Sequence, residues 1–155
     1  MMIYSFFDRN SRPVYTYINE LFDAFKGRQR EYNWLITDCD IVAHSPELER
    51  LDAGGYHFLT GEALSEIVYK DPAQWIWGVL IGFDQSIPIE KIFEYPLPTV
   101  DYEGYHKSVP IMQHPLSTLE IVPVDSSFLL MITKQKEIAD LFHAAFPACE
   151  RWEMQ

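Results

Sequence analysis

The chain has 155 residues, 48% of them apolar and 15% aromatic, enough for one folded domain whose core needs neither a disulfide nor a structural metal. Its 23 acidic and 12 basic side chains leave a formal charge of −11, which sets it against phosphate backbones and anionic membrane surfaces as partners. Two cysteines, Cys39 and Cys149, lack CxxC spacing and point to a reducing, cytoplasmic setting; Met1 to Phe7 is too short for a signal peptide, and no apolar run approaches the roughly 18 residues of a bilayer span.

In chain order, Ile3 to Phe7 reads as a first strand and Asp8 to Arg12 as a loop. Ser11 can cap a helix over 13–26, with Pro13 in its first turn, Val14, Ile18, Leu21, Phe22 and Phe25 at helical spacing, and Gly27 as its stop. Lys26, Arg28 and Arg30 then solvate the helix end. Trp34 to Val42 is a strand in which Trp34, Ile36, Asp38 and Asp40 share one face and Leu35, Thr37, Cys39 and Ile41 the other. A polar stretch from His44 to Gly55 predicts a short helical turn and a loop, Tyr56 to Leu59 another strand, and Thr60 the cap of a helix over 61–70 that Asp71-Pro72 ends.

Gln74 to Asp84 is the longest nearly uninterrupted apolar run. Read as a strand, it places Trp75, Trp77, Val79, Ile81 and Phe83 on one side and Ile76, Gly78, Leu80 and Gly82 on the other, so both faces are apolar and the strand is central. Helices are available to cover both faces, and the two glycines leave room for something bulky on one of them. From Ser86 to Pro123 six prolines forbid long regular elements; Ile89 to Tyr95 reads as one or two helical turns and the rest as an ordered loop packed on the domain. Leu119 to Val124 and Ser127 to Ile132 form a hairpin, Thr133 caps a helix over 134–146, and Pro147 stops it. The sum is a single α+β domain, 1–155, with a mainly antiparallel sheet and about three helices.

Few chemical motifs are present. There is no Gly-x-Ser-x-Gly, no GxGxxG and no GxxxxGK[ST], and no histidine pair has metal-ligand spacing on a helix. His106 and His114 could meet across the proline-rich loop with Asp101 or Glu103. The strand end Leu35-Ile36-Thr37-Asp38-Cys39-Asp40 resembles the first motif of haloacid-dehalogenase-type phosphotransferases. That resemblance implies Asp38 as nucleophile, Asp40 as acid/base and a Mg²⁺ between them. The family also needs a downstream lysine and a second acidic pair, and Gly82-Phe83-Asp84 lacks its second acid.

The loop from Tyr95 to His114 carries Tyr95, Tyr102 and Tyr105 beside Asp101, Glu103 and His106, the ingredients of a surface for a basic protein partner. Size, a pI near 4.7, the Trp75 to Asp84 run and the terminal Asp125-Ser126-Ser127-Phe128 hairpin with its helix give the chain a resemblance to small acidic bacterial immunity proteins of toxin systems. The resemblance implies a non-enzymatic inhibitor whose carboxylates occupy a basic toxin's site where phosphates normally sit; the missing motifs point to no cofactor or metal, and the charge to no nucleic acid or membrane partner. An enclosed aromatic pocket would instead mark an apolar-ligand carrier.

Overall fold

A computed structural model describes residues 2–8 and 16–155. Among these residues seven strands make one sheet: β1 (Ile3–Asp8), β2 (Tyr32–Ile41), β3 (Tyr56–Thr60), β4 (Trp75–Asp84), β5 (Leu119–Val124), β6 (Phe128–Thr133) and β7 (Glu150–Met154). Their order is β3-β2-β4-β5-β6-β1-β7 and every neighbouring pair is antiparallel. The helices are α1 (Ile18–Ala24), α2 (Pro46–Asp52), α3 (Gly61–Lys70), the single turn α4 (Ile89–Ile92) and α5 (Lys136–Ala145). The domain is therefore α+β. Among the described residues no helix is long and apolar enough to cross a membrane.

The sheet is buried on both sides by different means. On one side Phe6, Trp34, Ile36 and Leu80 pack with Phe22 of α1, Leu64 of α3 and Phe142 of α5, while α2 adds Leu48 and Leu51. On the other side Leu35, Val79, Ile81, Val122 and Ile132 meet no long helix among the described residues. They are covered by the chain between β4 and β5, through Ile92 of α4, Val100, Tyr105, Met112 and Leu116. The expectation of helices on both faces thus holds for one face only, because the six prolines keep 86–123 from forming a covering helix.

Local signals placed several elements well. Thr60 caps α3 through its hydroxyl, which accepts from Ala63 N at 3.1 Å, and Ser45 caps α2 by accepting from Leu48 N at 3.2 Å. The hairpin turns at Asp125 and Ser126, with φ values of 50° and 56° and Ser127 N donating to Val124 O at 2.9 Å; Val124 pairs with Phe128, so Ser127 belongs to a three-residue loop rather than to the strand.

Other boundaries moved. The first helix begins at Ile18 rather than 13: Thr16 has φ 79°, its carbonyl accepts from Trp75 N at 2.9 Å, and Tyr17 makes a β-bridge with Gln74. Ser11, Pro13 and Val14 lie outside the described residues. Thr133 is the last residue of β6 and not a helix cap; its hydroxyl donates to Thr118 O at 3.1 Å and accepts from Gln135 N at 3.0 Å. Strand β7, unforeseen beyond Pro147, pairs with β1.

Alternation along β2 and β4 also breaks. The pairing steps from Thr37↔Val79 to Asp40↔Trp77 and then to Ile41↔Trp75, one extra residue on each strand in turn. Asp38, at φ 53°, is where β2 bulges. Consequently Trp75 turns to the helix side with Leu80, while Trp77 stays with Val79 and Ile81 on the opposite side. The space left by Gly82 is filled by side chains, since a Cβ there would come within 2.8 Å of Leu119 Cδ2 and 3.3 Å of the Trp34 ring.

Candidate functional site: a strap pinned across the sheet

Residues 85–118 form a strap whose two limbs cross the face opposite α1, α3 and α5 and are tied to each other. The Gln113 side chain donates to Thr99 O and accepts from Thr99 N, both at 2.9 Å, standing in for a strand partner. Tyr102 Oη donates to Met112 O at 3.1 Å, and Ile111 N donates to Gly104 O at 3.1 Å.

The sheet holds the strap from strand to strand. On β2, Thr37 donates to Pro98 O at 2.8 Å and the Asp38 carboxylate accepts from Val100 N at 2.9 Å. On β1, the buried Ser5 hydroxyl donates to Pro110 O at 2.7 Å. Just beyond β6, Lys134 Nζ donates to Pro115 O at 2.9 Å. Prolines donate no N–H but keep a strong carbonyl acceptor, and the bonds from Thr37, Ser5 and Lys134 use that acceptor.

At the centre lies Glu120, fully buried on β5 between Ile81 of β4 and Ile132 of β6. Its Oε1 accepts from Tyr105 Oη and Gln113 N, each at 2.7 Å; its Oε2 accepts from His114 N at 2.9 Å and the Ser117 hydroxyl at 2.8 Å. Four donors converge on one carboxylate in an apolar surround, which is what makes its burial tolerable. Burial pushes the Tyr105 phenol well above its ordinary range, and the adjacent Glu120 adds to this.

His114 is buried beside this centre. Its Nδ1 accepts from Leu116 N at 3.1 Å, so Nε2 carries the proton and donates to Ile92 O at 2.9 Å. The ring stands edge-on to Phe83 at 4.8 Å and to Tyr95 at 5.0 Å. Burial holds its pKa below the ordinary histidine value.

The residues singled out in the sequence therefore separate into two groups. Tyr105 is 3% exposed and belongs to the anchor; Tyr102 is half-buried and ties the two limbs. Neither offers the contact area expected of it. Tyr95, Asp101, Glu103 and His106 are exposed on the strap's outer side, with His106 Nε2 donating to Val100 O at 3.0 Å. The meeting of His106 and His114 does not occur, since the two rings serve different backbone groups. Glu120 was passed over in the sequence, although a lone charge inside the six-residue apolar strand Leu119–Val124 was the signal for it.

Tyr95 is not alone on the surface. The Tyr56 and Phe93 rings lie 5.0 Å apart and are 50% and 36% exposed, and Leu97 is 47% exposed. An exposed pair of aromatic rings in contact, such as Tyr56 and Phe93, marks interaction sites more often than scattered apolar side chains do.

The other chemistries find less here. Asp38 and Asp40 are both exposed, and the Asp38 carboxylate holds the strap. Among the described residues no group of three or more His, Cys, Asp or Glu side chains is placed to hold a metal ion. Burial pushes the Cys39 thiol up to about 12 and the Cys149 thiol up to about 11, far from nucleophilic thiolates. A space of about 10 Å³ under α1, lined by Tyr17, Leu21, Leu129 and Phe146, has room for a single water at most. A wider cleft of about 510 Å³ between α1 and α5 is open and lined in part by Glu20, Asp23 and Lys26. Neither is an enclosed aromatic pocket.

Comparisons with protein-family models, curated proteins and solved structures found no match.

Proposed function

We propose that this is a non-enzymatic protein-binding domain of the immunity or inhibitor kind, acting on a basic partner such as a toxin through the outer side of the strap. The observation that carries this reading is the exposed Tyr56–Phe93 ring pair, which joins β3 to the strap, with Tyr95 and Leu97 also exposed on the strap, whose underside is fixed. A surface held rigid before binding loses little entropy on association, and aromatic anchors supply most of the energy in such contacts. Asp101 and Glu103 stand exposed on the same strap, and the net charge of −11 attracts a basic partner from a distance. Tyr102 and Tyr105 support that surface from beneath rather than touching the partner.

The test is affinity capture from the native cell, with the captured protein identified, purified and titrated back. A basic protein whose binding weakens with salt, and weakens again in the Tyr95→Ala and the combined Asp101→Lys, Glu103→Lys variants, is expected. A partner indifferent to salt and to these substitutions would overturn the reading.

A further inference from the structure

The two edges of the sheet differ in a way that bears on how a partner could attach. Strand β7 carries Glu150, Arg151 and Glu153 among its five residues, and charges of this kind discourage pairing with another chain. At the opposite edge β3 reads Tyr-His-Phe-Leu-Thr, with no carboxylate, lysine, arginine or proline. Among the described residues its one strand neighbour is β2. Among the described residues, the backbone groups of β3 that face away from β2 therefore pair with no strand and offer a template for a further one.

Side chains beside that template favour an occupant. Tyr56 and Phe58 pair with Thr37 and Leu35, which puts them on the strap side of the sheet. There Tyr56 meets Phe93, with Leu97 leading into Pro98, whose carbonyl Thr37 holds. An added strand would lay alternate side chains against this aromatic ground.

Charge selects the occupant's chemistry. From residue 38 to 66, the stretch that contains β3, the chain has seven acidic side chains and one basic one, Arg50. Lys70 pairs with Glu47 and Arg30 with Glu62, while Asp38, Asp40, Glu49 and Glu66 remain exposed at the surface. The acidic character of the stretch that carries β3 favours a basic incoming segment over an acidic one. A second copy of this chain, itself at −11, would be repelled.

We propose that β3 receives an extended, basic segment of a partner protein as a further antiparallel or parallel strand, with Tyr56 and Phe93 as its side-chain contacts. The proposal rests on the protein-binding reading and states its mode. It is tested on the full-length protein by amide hydrogen exchange, with a short synthetic peptide of alternating arginine and valine as probe and its glutamate–valine counterpart as control.

With the basic peptide at ten times its Kd, the outward amides of β3 should exchange about tenfold more slowly, and the acidic peptide should leave them unchanged. The Tyr56→Ala, Phe93→Ala double variant should bind about tenfold more weakly while exchange in β4, β5 and β6 shows it folded. Unchanged β3 exchange at about 1 mM basic peptide overturns the proposal. So does protection that falls on 95–106 instead, an outcome that leaves the protein-binding reading standing. Slowing of β3 without peptide, rising with protein concentration alongside a dimeric mass, would assign the edge to self-association and also overturn it. Pairing of the peptide at β3 when no basic protein is captured from the cell would support the edge and sink the functional reading.

Discussion

Replacing Glu120 with Gln keeps the side chain's shape and removes half of its capacity to accept. Each carboxylate oxygen now serves one hydroxyl and one backbone amide: Tyr105 Oη with Gln113 N, and the Ser117 hydroxyl with His114 N. Whichever way the carboxamide is placed, its NH₂ faces one such pair. The hydroxyl can rotate and accept from it, but the backbone N–H cannot. One buried donor is left stranded at a cost of about 1–3 kcal/mol, and the surviving bonds, no longer made to a carboxylate, lose roughly 1 kcal/mol between them or more. The expected loss is about 2–4 kcal/mol, a large part of the roughly 5–15 kcal/mol that holds a domain of this kind. Urea unfolding measures it, and amide exchange locates it: Gln113 and His114 should open well before the β5–β6 ladder, because the strap is released while the sheet keeps its own bonds. Tyr105→Phe, which removes one of the four bonds, should cost less, and the two substitutions together should cost less than their sum. A Gln variant within about 0.5 kcal/mol of the parent, with strap exchange unchanged, would refute the view that this carboxylate pins the strap.

At the first position of α3, alanine would ordinarily help by nearly 1 kcal/mol, yet Gly61→Ala should destabilise by more than about 2 kcal/mol, since the new Cβ would lie 2.3 Å from Gln29 O and 2.7 Å from Tyr32 O. Urea midpoints compare it with Gly82→Ala, whose collision is with the Leu119 side chain; a stabilised Gly61→Ala would show that α3 and the Arg28–Glu31 turn are not in close contact. His114, with its pKa lowered by burial, contributes stability that is complete above the unfolded value of about 6.5 and is lost as pH falls through the folded value. Its ring should titrate by NMR below ordinary histidine, and a midpoint at or above about 6.5 would contradict its buried, neutral placement. Native Cys39 and Cys149 should react with a disulfide reagent at pH 8 far more slowly than in guanidinium, and equal rates would contradict their raised pKa values.

What the sequence determined by itself is what neighbours along the chain decide. The helical spacing of Leu64, Ile67 and Val68 after a capping Thr60 placed α3 at its true bounds, and Asp125 and Ser126 marked the turn between β5 and β6, whose loop takes in Ser127 as well. Two-sided apolarity marked β4 as buried on both faces, and the prolines marked 86–123 as irregular. What only the tertiary structure decided depends on groups far apart in sequence. A bulge at Asp38 and another residue out of register on β4 sent Trp75 and Trp77 to opposite faces, which strict alternation cannot foresee. Tyr105 became an anchor because Glu120, fifteen residues on, is buried beneath it, and Tyr56 became a surface feature because Phe93 folds against it. Periodicity reports which residues want to leave water, but hydrogen bonds across a sheet choose which of them meet. The strap was therefore legible as a loop with tyrosines, and which of them are buried and which exposed was legible only once the sheet had pinned it.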